Sequence, residues 1–250
     1  MSPAGRVAPA PDRRVLLGAA LATLCLGGRA RAGDDLPVLR PHDVILFQGD
    51  SITEGGRQPG FDFNHNMGQD YDYILAAELG ARFAARDLTF LNRGISGNSV
   101  LDLAARWRDD ALALKPDLLS ILVGINDTLF RTDEDPARFE TVYDRLLADT
   151  RAALPRTKIV LGQPFVLPVG RQSDDYPAHR AAVALRQAAV ARLARKYRLP
   201  LIRYQAVFDA ALRQAPAEHW SWDGVHPTYA GHWLMAQAWL RTVAAAWPNG

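Results

Sequence analysis

The sequence predicts an α/β domain built on a parallel sheet with helices covering both faces. Three observations lead there. Five short apolar runs recur along the chain, and none alternates polar with apolar as a half-exposed strand would. Helical periodicity fills the intervals between them, which is the signature of strand–helix–strand units. The 250 residues, 48% of them hydrophobic, are enough for one sizeable core, and no repeat, low-complexity tract or second domain interrupts them.

The elements follow in order. Residues 1–32 read as an export signal: Arg13-Arg14 precede the apolar run Val15–Leu26, and Ala30-Arg31-Ala32 gives an A-x-A cleavage pattern before Gly33. The run is too short to span a bilayer, so no stable membrane anchor is expected. Paired arginines also fit the twin-arginine route, and an ordinary secretory signal fits as well. The product is expected to be exported, periplasmic or extracellular. Residues 33–41 read as a linker and 42–250 as a single domain.

Val44–Phe47 is the first strand candidate, and it runs into Gly49-Asp50-Ser51. Leu88–Leu91 is the second and is followed by Asn92–Asn98, "NRGISGN". Val100, Leu103, Ala104, Trp107, Ala111 and Leu114 then keep the i, i+3, i+4, i+7 rule of a helix. Leu118–Val123 is the third strand and ends in "GINDT", Gly124–Thr128. A second periodic stretch runs from Phe139 to Leu154, with Pro155 as its stop. Ile159–Leu161 and Leu199–Ile202 complete the five strands. Ser221–Thr228, "SWDGVHPT", contains Gly224 and Pro227 and reads as a loop. Tyr229, Trp233, Ala236, Leu240 and Val243 make a last amphipathic helix, its aromatics expected in the core.

Charge and cysteine content exclude several functions. Five arginines and one aspartate give residues 1–32 a net +4; subtracted from the total of +2, this leaves −2 for the rest. The basic balance belongs to the leader, and nothing argues for nucleic-acid binding. Cys25, the sole cysteine, lies inside the leader. Disulfides, thiolate metal sites and cysteine catalysis are therefore not expected of the processed chain. The "GISG" glycines lack the third glycine and acidic partner of a dinucleotide site. No second ligand cluster joins Asp223 and His226, so neither metal nor cofactor is expected. His65, His219 and His232 are expected to be surface or internally satisfied histidines.

In an open parallel sheet, sites form beyond the carboxyl ends of the strands. Ser51, the 92–98 loop and the 124–128 loop all follow strands there. A serine hydroxyl is a weak nucleophile that needs a base, and the base needs an orienting group. Asp223 and His226, three apart on a turn, are the compact source of both. Asn126 and the main chain at Gly97 and Ser51 are candidate donors to an oxyanion. Trp222, next to Asp223, is a candidate wall of the substrate pocket. Asp50 is a candidate substrate contact, though bracing the nucleophile's turn is the role expected of it. Asn92 could tie the second loop to the first or serve a plain turn. For Asp127, capping the next segment and bracing the site are both open.

Gly49-Asp50-Ser51, Gly97 in "NRGISGN", Asn126 in "GIND" and Asp223/His226 in "DGVHP" together resemble the four blocks of the SGNH (GDSL-type) hydrolases. Two longer stretches, "NRGISGNSVLDLAARWRDDALALKPDLLSILVGIND" and "WDGVHPTYAGHWLMAQAWL", are similar to the serine acetylxylan esterase branch. The resemblance implies a three-layer α/β/α, flavodoxin-like fold and metal-free ester hydrolysis. Ser51 would be nucleophile, His226 base and Asp223 its orienter, with Ser51, Gly97 and Asn126 as oxyanion donors. The first block reads Gly-Asp-Ser-Ile, and its Ile52 keeps the apolar character of the usual leucine. An α/β-hydrolase elbow is excluded, since Thr53 stands where G-x-S-x-G needs glycine.

The expected function is a secreted serine esterase acting on short acyl, foremost acetyl, esters of saccharides. A short-chain thioesterase or lysophospholipase is the alternative within the class, and a non-catalytic carbohydrate-binding protein the one outside it. No long apolar lid is legible, which argues against long-chain lipids. A neutral His226 implies activity declining below about pH 6, near the ordinary histidine pKa. The resemblance leaves a homo-oligomer open, with no interface legible.

Overall fold

The computed structural model describes residues 36–58, 60, 65–130 and 135–249. The leader, with Arg13-Arg14, Cys25 and the cleavage pattern, lies outside them. Five strands, β1 (Val44–Gly49), β2 (Thr89–Asn92), β3 (Leu118–Leu122), β4 (Lys158–Gly162) and β5 (Leu201–Ile202), form one sheet. Every pairing is parallel and the order is β2-β1-β3-β4-β5. This is the flavodoxin-like doubly wound order, with its switch point between β1 and β3. The five expected strands are present with shifted ends: β1 runs on to Gly49, and β5 keeps only two residues of Leu199–Ile202.

The helices are α1 (Ser51–Glu54), α2 (Tyr71–Arg82), α3 (Val100–Asp110), α4 (Asn126–Leu129), α5 (Pro136–Ala153), α6 (Tyr176–Tyr197), α7 (Tyr204–Ala211), α8 (Ala217–Trp220) and α9 (Tyr229–Ala246). The sheet separates two hydrophobic clusters. Ile45 and Phe47 of β1 join Leu75 and Leu79 of α2, Phe208 of α7 and Trp239 of α9. Leu46, pointing the other way, joins Leu103 and Trp107 of α3, Tyr143 and Leu147 of α5 and Val190 of α6. Successive strand residues thus feed opposite layers, which is why the strands read as unbroken apolar runs. A buried tryptophan on each side is paired: Trp239 Nε1–H donates to Ser120 Oγ at 3.1 Å, and Trp107 Nε1–H to Thr150 Oγ1 at 3.0 Å.

Three readings change. The helix expected to reach Leu114 ends at Asp110, and Leu112–Leu114 form a 3-10 turn. In the segment read as linker, Leu36, Val38 and Leu39 are buried in the α2/α9 cluster, so it is packed against the domain. The third change concerns α9. Its Ala236, Leu240 and Val243 are buried as expected, but Tyr229 is 89% and Trp233 54% exposed. The helix is apolar on most sides, so periodicity alone cannot decide which side faces the sheet. Among the described residues no helix is long and apolar enough to cross a membrane.

Candidate active site

Gly49 ends β1 because nothing larger fits: a Cβ there would lie 2.4 Å from Leu122 O and 2.5 Å from Thr53 Oγ1. The chain then turns through Asp50, whose Oδ1 accepts the Ile52 N–H at 3.0 Å as the N-cap of α1. Ser51 is the first residue of that short helix, just beyond the carboxyl end of β1. Asp50 is 1% exposed. It therefore has no face toward substrate, and its contacts are those of the brace. Burial pushes its carboxyl up to about 7, against the pull of the Ile52 N–H and with the nearby Asp127 charge adding to the rise.

The 92–98 loop is fastened to this turn. Ile95 N–H donates to Gly49 O at 3.2 Å, and Asn92 Nδ2 to the carbonyls of Thr53 at 2.5 Å and Met67 at 2.9 Å. Asn92 Oδ1 also accepts the Gly94 N–H at 2.8 Å. Of the two roles open to Asn92, tying the loops together is the one it fills. Gly97 follows in the same loop at φ +77°. Asn126 Nδ2 donates to Asn98 O at 3.0 Å, joining the 124–128 loop to the residue after Gly97. Asp127 Oδ1 accepts the first N–H of α3, from Val100, at 2.8 Å, and its carbonyl accepts from Arg186 at 2.7 Å. The carboxyl ends of β1, β2 and β3 are thus knitted into one rigid edge.

The fourth segment, 221–228, is a loop closed by a bridge between Ser221 and Pro227. Gly224 sits at φ +96°, a region that favours glycine, and a Cβ there would lie 2.5 Å from Gln172 Cγ. That turn folds the loop back on Asp223. Asp223 Oδ1 accepts two main-chain N–H groups, from Val225 at 3.0 Å and His226 at 2.7 Å. Its Oδ2 meets His226 Nδ1 at 2.6 Å, and His226 Nε2 meets Ser51 Oγ at 2.8 Å. Carboxylate, imidazole and hydroxyl therefore form one continuous hydrogen-bonded line.

The electrostatics follow from the same contacts. Burial would raise Asp223, but the His226 ring and the two N–H groups outweigh it and hold the carboxyl below its ordinary value. The Asp223 hydrogen bond lifts the His226 imidazole above 6.5, opposed by partial burial and aided by the Asp223 charge. Trp222, 65% exposed, lies flat against the His226 ring at 5.4 Å between centroids and 14° between planes. It joins Ser51, His226, Tyr229, Asp70 and His232 around an open cavity of about 540 Å³. Tyr229, Asp70 and the placement of His232 were not legible in the sequence. Asp70 and His232 are ordinary polar residues far apart in the chain, and Tyr229 looked like a core position. Among the described residues, no group of three or more His, Cys, Asp or Glu side chains could hold a metal ion.

Comparisons with known proteins agree with this architecture. A profile of the GDSL-like lipase/acylhydrolase family matches residues 47–234. An acetylxylan esterase of Geobacillus stearothermophilus is 33% identical over 219 residues, covering 82% of this chain and 95% of the relative. The crystal structure of Axe2, an acetylxylan esterase from Geobacillus stearothermophilus, superposes with a TM-score of 0.73 at 30% identity, over 82% of this chain and 95% of that one. A Parabacteroides merdae protein assigned to the GDSL-like lipases superposes with a TM-score of 0.76 at 37% identity, over 82% of this chain and 97% of that one.

Proposed function

The chain belongs to the GDSL-like lipase/acylhydrolase family and is a carboxylic ester hydrolase related to acetylxylan esterases, and from that premise we propose that it is an exported serine esterase removing acetyl groups from saccharides. The observation that carries the reading is the line Asp223–His226–Ser51 at 2.6 and 2.8 Å, opening on a cavity walled by exposed aromatic rings.

Ser51 Oγ attacks the ester carbonyl while neutral His226 takes its proton at Nε2. Asp223 keeps the imidazole in the Nδ1–H tautomer and stabilises the imidazolium that forms. The tetrahedral oxyanion is received by Asn126 Nδ2 and the main-chain N–H groups of Gly97 and Ser51. The Asn126 amide carries two hydrogens and uses one on Asn98, which leaves it fixed in place with a second to offer. His226 then protonates the leaving sugar oxygen. In the second half, it takes a proton from water, which attacks the acyl group on Ser51 and returns the hydroxyl. Trp222 lies over the imidazole and, with Tyr229, offers flat apolar surface suited to a pyranose face.

The test is acetate release from a panel of acetylated saccharides, run beside p-nitrophenyl esters of increasing length. Acetate should be released from at least one saccharide, and p-nitrophenyl acetate should be cleaved faster than the octanoate. Much faster cleavage of the octanoate would overturn the short-acyl reading. Export is tested on the same protein: material recovered outside the cytoplasm should begin at Gly33, and a retained Met1 would contradict removal of residues 1–32.

The pH profile gives a second expected result. Only neutral His226 can accept the serine proton, so protonation on the acid side abolishes activity. Its pairing with Asp223 raises the imidazole above 6.5, so the acid limb of kcat/KM should have its midpoint above pH 6.5. This is higher than the unperturbed histidine value suggests. A midpoint below 6 on a p-nitrophenyl ester would contradict the role given to His226.

A further inference from the structure

We infer that Asp70 and His232 form a subsite that recognises free hydroxyls on the saccharide part of the substrate. The inference rests on the saccharide reading above and assigns its specificity to residues outside the Ser51–His226–Asp223 line.

Asp70 stands at the N-cap of α2. An aspartate there ordinarily accepts an N–H from the second or third helical residue. Asp70 makes no such bond. Its carboxylate is instead turned aside, and its Oδ1 meets His232 Nε2 from α9 at 2.9 Å. Both side chains are largely enclosed, 13% and 6% exposed, yet both line the cavity that contains Ser51 and His226. The helix has thus lost a cap while the cavity wall has gained a fixed carboxylate.

The chemistry of that wall is selective. An ionised carboxylate only accepts, with about four lone-pair sites, and His232 occupies one. The rest of its capacity toward the cavity suits hydroxyl donors. A phosphate or other anion would be repelled. Trp222 and Tyr229 line the same cavity and are 65% and 89% exposed. A carboxylate acceptor beside exposed aromatic faces fits a polyhydroxylated ring, whose edges donate and whose faces are apolar. The carboxylate fits neither an alkyl chain, which has no donor to offer, nor the anionic phosphate of a headgroup. His232 is the positioning residue of the pair: it holds the carboxylate in one orientation, so the acceptor is arranged before substrate arrives. Asp70 is no second orienter of the base, because His226 Nδ1 is already engaged by Asp223.

The experiment compares wild type, Asp70→Asn and Asp70→Ala on three acetates. These are p-nitrophenyl acetate, a monoacetylated methyl xyloside with its other hydroxyls free, and the same xyloside with those hydroxyls methylated. The readout is the ratio of kcat/KM on the free xyloside to that on the aryl acetate, so a general loss from misfolding cancels. Both variants should lower the ratio about tenfold or more, mostly through KM, as expected for loss of a hydrogen bond to a charged acceptor. Methylation should depress the wild type by a similar factor and the variants little. A ratio within about twofold of wild type, or equal loss on the aryl and sugar acetates, overturns the subsite. If wild type cleaves the aryl acetate but no acetylated sugar, the saccharide reading itself has failed, and the subsite with it.

Discussion

Ser51→Ala is expected to lower kcat/KM on p-nitrophenyl acetate by roughly 10⁴-fold or more, because without the hydroxyl there is no acyl-enzyme and only positioned water remains. The substitution removes one oxygen from a partly buried residue whose Oγ bonds His226 Nε2. The N-cap of α1 comes from Asp50, not from Ser51. The protein should therefore stay folded, with a melting temperature close to wild type. Activity within tenfold of wild type would remove Ser51 from the chemistry.

Asp223→Asn carries the second largest effect, a loss in kcat of about 10²–10⁴-fold with KM little changed. The reason is a tautomer. An asparagine carbonyl can still accept the Val225 and His226 N–H groups at the Oδ1 position, so the loop keeps its shape. Its amide would then face His226 Nδ1, where the carboxylate now accepts at 2.6 Å. Nδ1 becomes an acceptor, the ring proton moves to Nε2, and Nε2 can no longer take the proton of Ser51. Asp223→Ala should lose the loop's two main-chain bonds as well and so lower thermal stability where Asp223→Asn does not. An Asp223→Asn variant within fivefold of wild type would show that the carboxylate does not set the tautomer.

These two results probe groups that local sequence made visible for different reasons. The strands were legible because each is buried on both faces and so unbroken in apolar character, as Ile45, Leu46 and Phe47 show by dividing between two clusters. Their carboxyl ends put Ser51, Gly97 and Asn126 on one edge without any knowledge of contacts. Asp223 and His226 were legible because a turn three residues long can close on itself. The remainder depended on packing between distant segments. Whether Tyr229 or Val243 of α9 faces the sheet is not decided within α9, and the exposed choice gave the cavity one of its aromatic walls. The burial of Leu36 and Leu39 needs α2 and α9 in place. Asp70 and His232 meet only after both helices dock, and each alone looks like a cap or a surface residue. Asp50 lies between these cases: its position beside the serine was plain, but its near-complete burial, and the carboxyl raised to about 7, follow from the loops closing over it.

The central claim is that Ser51 is the nucleophile of an ester hydrolase. The most direct measurement is intact-mass and peptide mapping of the folded protein after reaction with a fluorophosphonate, alongside residual esterase activity. One adduct per chain on Ser51, appearing in step with loss of activity and absent from Ser51→Ala, is the expected result. An enzyme that hydrolyses p-nitrophenyl acetate yet stays unlabelled, or carries its adduct on another residue, would contradict it.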